Sequence, residues 1–112
     1  MRDEISIDIG KDFSRYPAGR TTAYGPYSGE AFREKFLRSP IAKGQHVVVL
    51  MDSAVGYGSS FLDEAFAGLV RVGVASATRL RELLTLRSED DSLIDEVWTY
   101  VDDEEKRRQR AH

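Results

Sequence analysis

The chain has no cysteine in its 112 residues. Disulfides, thiol catalysis and cysteine-ligated zinc are excluded together. Histidine is scarce as well: His46 and His112 are the two, and with no cysteine beside them no metal cluster is expected, nor any cofactor. Long apolar runs are missing. The longest, Val47 to Met51, falls far short of the roughly 20 residues that cross a bilayer, so no membrane association is expected. The start, "MRDEISIDIG", sets two acids directly after an arginine and has neither an apolar stretch nor a small-residue cleavage site. It does not read as a secretory leader, and the expected compartment is the cytoplasm. A basic excess is absent too, and a net charge of −3 argues against a nucleic-acid partner.

What is present describes a soluble globular protein: 41% of the residues are apolar and 31% charged, enough to build a core. A single domain over 1–112 is expected, since one core usually takes about 100 to 150 residues. Charge is unevenly spread. Between Lys11 and Lys43 bases outnumber acids, whereas from Glu89 to Glu105 every charged residue is acidic and Lys106, Arg107, Arg108 and Arg110 close the chain. The pairs Asp102 with Lys106, Asp103 with Arg107 and Glu104 with Arg108 are four apart, as on a solvated helix whose cationic end suits its dipole.

Hydrophobic periodicity outlines the elements. "EISIDI" alternates, putting Ile5, Ile7 and Ile9 on one face of an edge strand. "SRYPAGRTTAYGPYSG" is punctuated as loop, within which "RTTAY" can add a short strand. A helix is expected from Ser28 or Gly29 to about Ser39, halted by Pro40. "HVVVLM" is continuously apolar and β-branched, the pattern of a central strand. A second helix starts near Ser59 or Ser60 with Phe61, Leu62, Ala65, Phe66, Leu69 and Val70 as its buried stripe, and Gly68 admitting a neighbouring backbone. "LLTLRS" reads as another strand. "DDSLIDEVWTYVDDEEKRRQR" reads as the last helix, with Ser92 and Asp95 at capping-box spacing. The alternation predicts an α/β sandwich: a mixed sheet of about four strands with three main helices packed on it.

The stretch between the central strand and the second helix, "DSAVGYGSSFLDEAF", draws most interest. Gly56 and Gly58 permit a sharp turn there, and a helix start at the rim of a sheet offers free amides to a ligand. Specific chemistries fail against the letters. A dinucleotide fingerprint requires glycine where Phe61 stands, and a P-loop requires a lysine that is absent. A nucleophile elbow requires GxSxG against "YGSSFL", and the internal histidine, His46, begins the preceding strand. Asp52 and Asp63 occur singly, so no catalytic residue is assigned. Locally, Ser60 is a good N-cap with Asp63 three residues on. A second candidate is an anion site at the start of the first helix: Arg20 and Arg33 beside Ser28 and Gly29. Internal pairing of Arg20 with a loop carbonyl or carboxylate, and of Arg33 with Glu30 or Asp12, is the competing reading.

Three segments, "PAGR", "GPYSGEAFREKFL" and "VVVLMDSAVGYGSSFLDEAFAGLVR", resemble the STAS-like domain family of unknown function, and the similarity runs from Ile5 to the last helix. That family is related to the STAS domains of anti-sigma factor antagonists. The resemblance implies a mixed sheet flanked by helices, and partner binding rather than catalysis, the partner often being an ATP-binding serine kinase of the histidine-kinase type. In those antagonists the strand-to-helix turn carries the phosphorylated serine within Asp-Ser-Ser-Gly. Ser59 and Ser60 match the serines, with Ser60 at the phosphorylated position, while Gly58 and Phe61 replace the flanking aspartate and glycine. The expected function is a non-enzymatic interaction module that docks a protein through Gly56, Tyr57, Gly58, Ser59, Ser60, Asp63 and Glu64. The alternative is a domain binding a small anion or nucleotide through Arg20 and the helix starts.

Overall fold

The computed structural model describes residues 4–111, so Met1 to Asp3 and His112 lie outside it. Its sheet has three strands, β1 (Glu4–Asp8), β2 (His46–Leu50) and β3 (Leu84–Arg87), in the order β1-β2-β3. Both pairings are parallel, which corrects the expected mixed, four-stranded sheet among the described residues. The missing strand is "RTTAY": Thr22–Tyr24 closes into a 3₁₀ turn, with the Tyr24 N–H donating to the Thr21 carbonyl at 2.9 Å. Gly25 follows at φ 133, a backbone no strand residue with a side chain would adopt.

Register explains the sheet's two faces. Ile5, Val47 and Leu84 lie side by side, as do Ile7, Val49 and Leu86, and this row of branched side chains joins the single core cluster. The other face carries Ser6, Val48 and Thr85 in one row, of which Ser6 and Thr85 are exposed. Alternation in β1 and β3 follows from that asymmetry. β2, flanked on both sides, is apolar throughout.

Helix α1 spans 29–42, as α-helical Gly29–Phe32, a wider π turn at Arg33–Leu37 and α-helical Arg38–Ala42. Pro40 does not stop it. A proline ring clashes with the carbonyl four residues back, and the widened turn opens the ladder just ahead of it, so the helix continues until Gly44 (φ 79) turns the chain. Helix α2 spans 59–71 in the same manner, with a π turn at Asp63–Ala67. Helix α3 is Ala77–Leu83 and α4 is Asp91–Arg110. α2 packs against both α1 and α4. Phe32, Phe61 and Phe66 are fully buried between them, with Phe13 and Tyr57 stacked alongside. Asp90 caps α4, accepting from the N–H of Ser92 at 3.0 Å, in place of the expected Ser92–Asp95 box. None of these helices is long and apolar enough to cross a membrane.

Candidate functional site

The site is assembled at the carboxyl end of β2. From there the chain runs through Asp52 to Gly58 before entering α2, the edge of an α/β sheet where ligands tend to bind. Asp52 anchors the turn to the neighbouring strand's exit: it accepts from the Ser88 hydroxyl at 2.6 Å and the Glu89 N–H at 2.9 Å. Ser53 ties it to β1, donating to Asp8 while accepting from the Gly10 N–H at 2.9 Å. Tyr57 is tied in as well, its hydroxyl donating to the Met51 carbonyl at 2.6 Å and its ring 5.8 Å from that of Phe61. Burial, reinforced by the charges of Asp52 and Asp8, pushes its phenol well above the usual tyrosine range. Tyr57 is thus partly a structural peg.

Gly56 and Gly58 do less than expected. Neither takes a positive φ, and a Cβ on either would meet nothing within 4 Å. Their backbone conformations are ordinary, and what they leave is open space beside the serines.

Gly58, not Ser60, occupies the N-cap of α2, and no side chain caps this end. The reason is phase. Phe61 and Leu62 both sit fully buried, and turning them into the core brings Ser59 and Ser60 into the first turn itself, where their backbones are already helical. Both serines are exposed. Phe61, which stands where the related motif has glycine, is held by Phe32 at 6.1 Å and Phe13 at 6.4 Å.

One turn below the serines lies a network of ions, which realises the internal pairing of Arg20 with a carboxylate and adds Arg71 and Glu104, for which the sequence carried no signal. Arg20 Nη1 meets Asp63 Oδ2 at 2.5 Å and Glu64 Oε1 at 3.4 Å. Arg33 Nη1 meets Glu64 Oε2 at 2.6 Å and the Glu64 carbonyl at 2.9 Å, while its Nε holds Glu34 at 2.9 Å. Arg71 bridges Asp63, Glu64 and Glu104 at 3.0, 3.0 and 2.8 Å. Arg33 is 4% exposed and Glu104 6%, so these charges are withdrawn from water only because they are mutually satisfied. For Arg33 burial opposes the charged form, and hydrogen bonds to Glu64 and Glu34 outweigh it, raising its pKa. For Arg20 the hydrogen bond to Asp63 is the main cause of a raised pKa. Gly68 matters here: the Arg33 guanidinium, not a backbone, presses where a Cβ would be.

The tail pairs differ from those expected from spacing. Asp102 is taken by Arg81 of α3 at 2.7 and 2.9 Å, Arg107 pairs with Glu104 at 3.1 Å, and Arg108 donates to the Arg71 carbonyl at 3.0 Å. For Asp102 and Arg108 a tertiary partner on a packed helix outcompeted the spacing of four, whereas Arg107 turned to a spacing of three within α4.

Of the second candidate set, the fold buries most. Ser28 is fully buried and its hydroxyl caps α1, accepting from the Ala31 N–H at 3.1 Å. The Gly29 N–H goes to the Gly19 carbonyl at 2.9 Å and the Glu30 N–H to that of Arg20 at 3.0 Å. A Cβ on Gly29 would lie 2.5 Å from the Phe61 carbonyl, so the starts of the two helices touch. Arg33 pairs with Glu34 and Glu64 and not with Glu30 or Asp12; Glu30 accepts from the Thr22 N–H at 2.9 Å and Asp12 from the Asp8 N–H at 2.8 Å. Arg20 alone of the four is open, 41% exposed at its side chain.

Arg20 thereby joins the two candidate sets. It lines a hollow of about 330 Å³ with Gly19, Tyr24 and Ser60. It also lines a second hollow, of about 310 Å³, with Ser59, Asp63, Tyr100, Asp103 and Arg107. Each hollow thus sets a serine hydroxyl and the start of α2 beside the Arg20 guanidinium, with the carboxylates of Asp63 and Asp103 also lining the one at Ser59.

No curated protein and no solved structure matches the chain. A family model does, over residues 28–93, from the buried cap of α1 through the serine turn to the first turn of α4. The matched span holds β2, both serines and the carboxylates Asp63 and Glu64, and by it the chain belongs to the family described as the STAS-like domain of unknown function (DUF4325).

Proposed function

We propose that the protein is a non-enzymatic regulatory module that docks a protein partner through the turn 56–63, with Ser60 as phosphate acceptor and Ser59 as the second. One observation carries the reading: two adjacent serines stand exposed in the first turn of α2, unused as caps, with the Arg20 guanidinium lining the hollows on both sides. A phosphoserine brings nearly two negative charges. At this place they would meet the helix dipole and Arg20, but also Asp63 and Glu64 one turn on, so the docking surface would change sign locally. The resemblance to anti-sigma factor antagonists supports an ATP-binding serine kinase of the histidine-kinase type as partner: the Ser60 oxygen would bond to the terminal phosphorus of ATP as the bond to ADP breaks, ADP leaving and the hydroxyl proton passing to a base of the kinase.

The test is intact mass of the protein purified from its own cells, with and without phosphatase. A removable phosphate that disappears in Ser60→Ala supports the reading, and an unmodified mass in the presence of the partner kinase ends it. Ser60→Asp should weaken capture of that partner without altering the melting temperature. Tyr57→Ala is a poor probe, since Tyr57 holds the turn itself.

A second reading, anion binding without modification, is favoured by the Arg20 hollow alone. Phosphate or a nucleotide at 100 times its dissociation constant would add about 2.7 kcal/mol to stability. A flat melting screen across these anions would remove it.

A further inference from the structure

Apolar exposure is concentrated at one end of the molecule. Tyr16 (68%), Tyr24 (77%), Tyr27 and Val55 (66%) are four of the five large apolar side chains that stand exposed among the described residues, and they sit on two loops, 14–28 and 52–58. One bond joins the loops, the Val55 N–H donating to the Arg15 carbonyl at 2.8 Å, and a second closes the first loop on itself, the Ala18 N–H donating to the Tyr27 carbonyl at 2.9 Å. Gly19, at φ 91, has no Cβ where one would meet that of Tyr24 at 2.9 Å, so the loop is shaped around an outward tyrosine. Clustered exposed aromatics mark interaction surfaces.

Beside Val55 and Tyr57 opens a cleft of about 340 Å³, reaching across the exits of β2 and β3 to the start of α4. Three carboxylates line it, Asp52, Asp90 and Glu96, and no lysine or arginine does. Each is steadied by a neutral donor: Ser88 and the Glu89 N–H for Asp52, the Ser92 hydroxyl for Asp90 at 2.5 Å, and the Tyr100 hydroxyl for Glu96 at 2.6 Å. Among the described residues none of the three is ion-paired, whereas Glu34, Asp63, Glu64, Glu82, Asp102 and Glu104 all are. The acids of the cleft are thus positioned yet unneutralised, with Val55, Tyr57 and Leu93 offering an apolar wall.

We propose that the two loops dock a protein partner that inserts a basic side chain, arginine or lysine, into this cleft. The inference rests on the docking function above and names the chemistry of what docks. The stem of such a side chain would lie along Val55 and Leu93 while its head meets the carboxylates, and an arginine seated beside tyrosines is a common anchor of interfaces. The chain's own basic tail does not fit the role, because it is engaged internally: Arg107 with Glu104 at 3.1 Å, Arg108 with the Arg71 carbonyl at 3.0 Å and Arg110 with the Lys106 carbonyl at 3.4 Å.

The experiment is an NMR titration of the isotope-labelled full chain with the peptide acetyl-Ala-Leu-Arg-Leu-Ala-amide and with its Gln and Glu counterparts. The Arg peptide should give saturable shifts at the amides of 52–57 and 88–96, with affinity about fivefold above the Gln peptide. Glu96→Gln, which keeps an acceptor for Tyr100, should lose about that factor at an unchanged melting temperature. Equal affinity for the Arg and Gln peptides, shifts confined to other residues, or no saturation at millimolar peptide would overturn the proposal. So would self-association of the chain that protects the same amides, which would make a second copy the occupant. The peptide reads the cleft without the natural partner, so a flat titration removes the cleft and leaves the serine turn to its own mass measurement.

Discussion

Two helix starts, built from similar letters, end in opposite states. "YSGEAF" at α1 and "GSSFLDEAF" at α2 both put serine ahead of an acid and an apolar pair. Ser28 is sealed inside the protein with its hydroxyl spent on the Ala31 N–H, while Ser59 and Ser60 face outward with no side-chain cap at their helix. Neighbours decide the difference. Gly29 lets the α1 start press onto the Phe61 carbonyl, and Phe61 and Leu62, turning inward, carry the α2 serines out. A serine at a helix start is structural where another element covers it and available where none does.

The comparison can be broken most severely at Arg33, the buried cation beneath both starts. Arg33→Ala takes from the half-buried Glu64 its closest partner, leaving it Arg71 and Arg20, and should cost about 2 to 4 kcal/mol, read as a shifted urea midpoint; a loss under about 1 kcal/mol would mean the network is incidental. Next comes Gly29→Ala, whose Cβ would meet Phe61 and Ala65 backbone atoms at 2.5 and 2.9 Å. We expect a loss of about 2 kcal/mol through forced separation of α1 and α2. The sharpest contrast is Ser28→Ala against Ser60→Ala: the first should cost about 1 to 2 kcal/mol and the second less than about 0.5. Equal losses in thermal melts would abolish the distinction drawn here.

The smallest effect concerns pH. The Arg33 hydrogen bond, aided by Arg38, holds the Glu34 carboxyl below its ordinary value. Its contribution is therefore complete above the unfolded pKa of 4.5 and is lost as pH falls through the lower folded value. Glu34 is 41% exposed, so solvent screening reduces this to about 0.5 kcal/mol or less. Glu34→Gln should flatten the acid limb of a stability curve by that amount while leaving the region above pH 6 little changed.

Much of the scaffold was legible because it depends on local pattern. The apolar run of β2, the stripe of α2 and the start of α1 at Ser28 or Gly29 each follow from letters within one turn or one strand of one another. Legibility failed where distant groups decide. Arg20 and Asp63 are 43 residues apart, and Arg33 and Glu64 are 31 apart, so no periodicity marks them as partners. Propensity gave "RTTAY" a chance as a strand, yet a 3₁₀ turn bonded to Glu30 took it. The cap at Ser60 failed for a subtler reason: chemistry suited either residue, and only the burial of Phe61 set the phase.

The wide turn at Asp63–Ala67 has a consequence for how tightly this surface is specified. A π turn is an α-helix carrying one surplus residue, and one residue corresponds to about 100° of rotation. The wide turn takes up that surplus where it stands; were the same residues wound into a regular ladder instead, everything before the turn would swing around the axis, hiding Ser59 and Ser60 or expelling Phe61. The direction in which the hydroxyls point is thus a matter of residue count as much as residue identity, and a one-residue slip would silence the site without altering a letter of it.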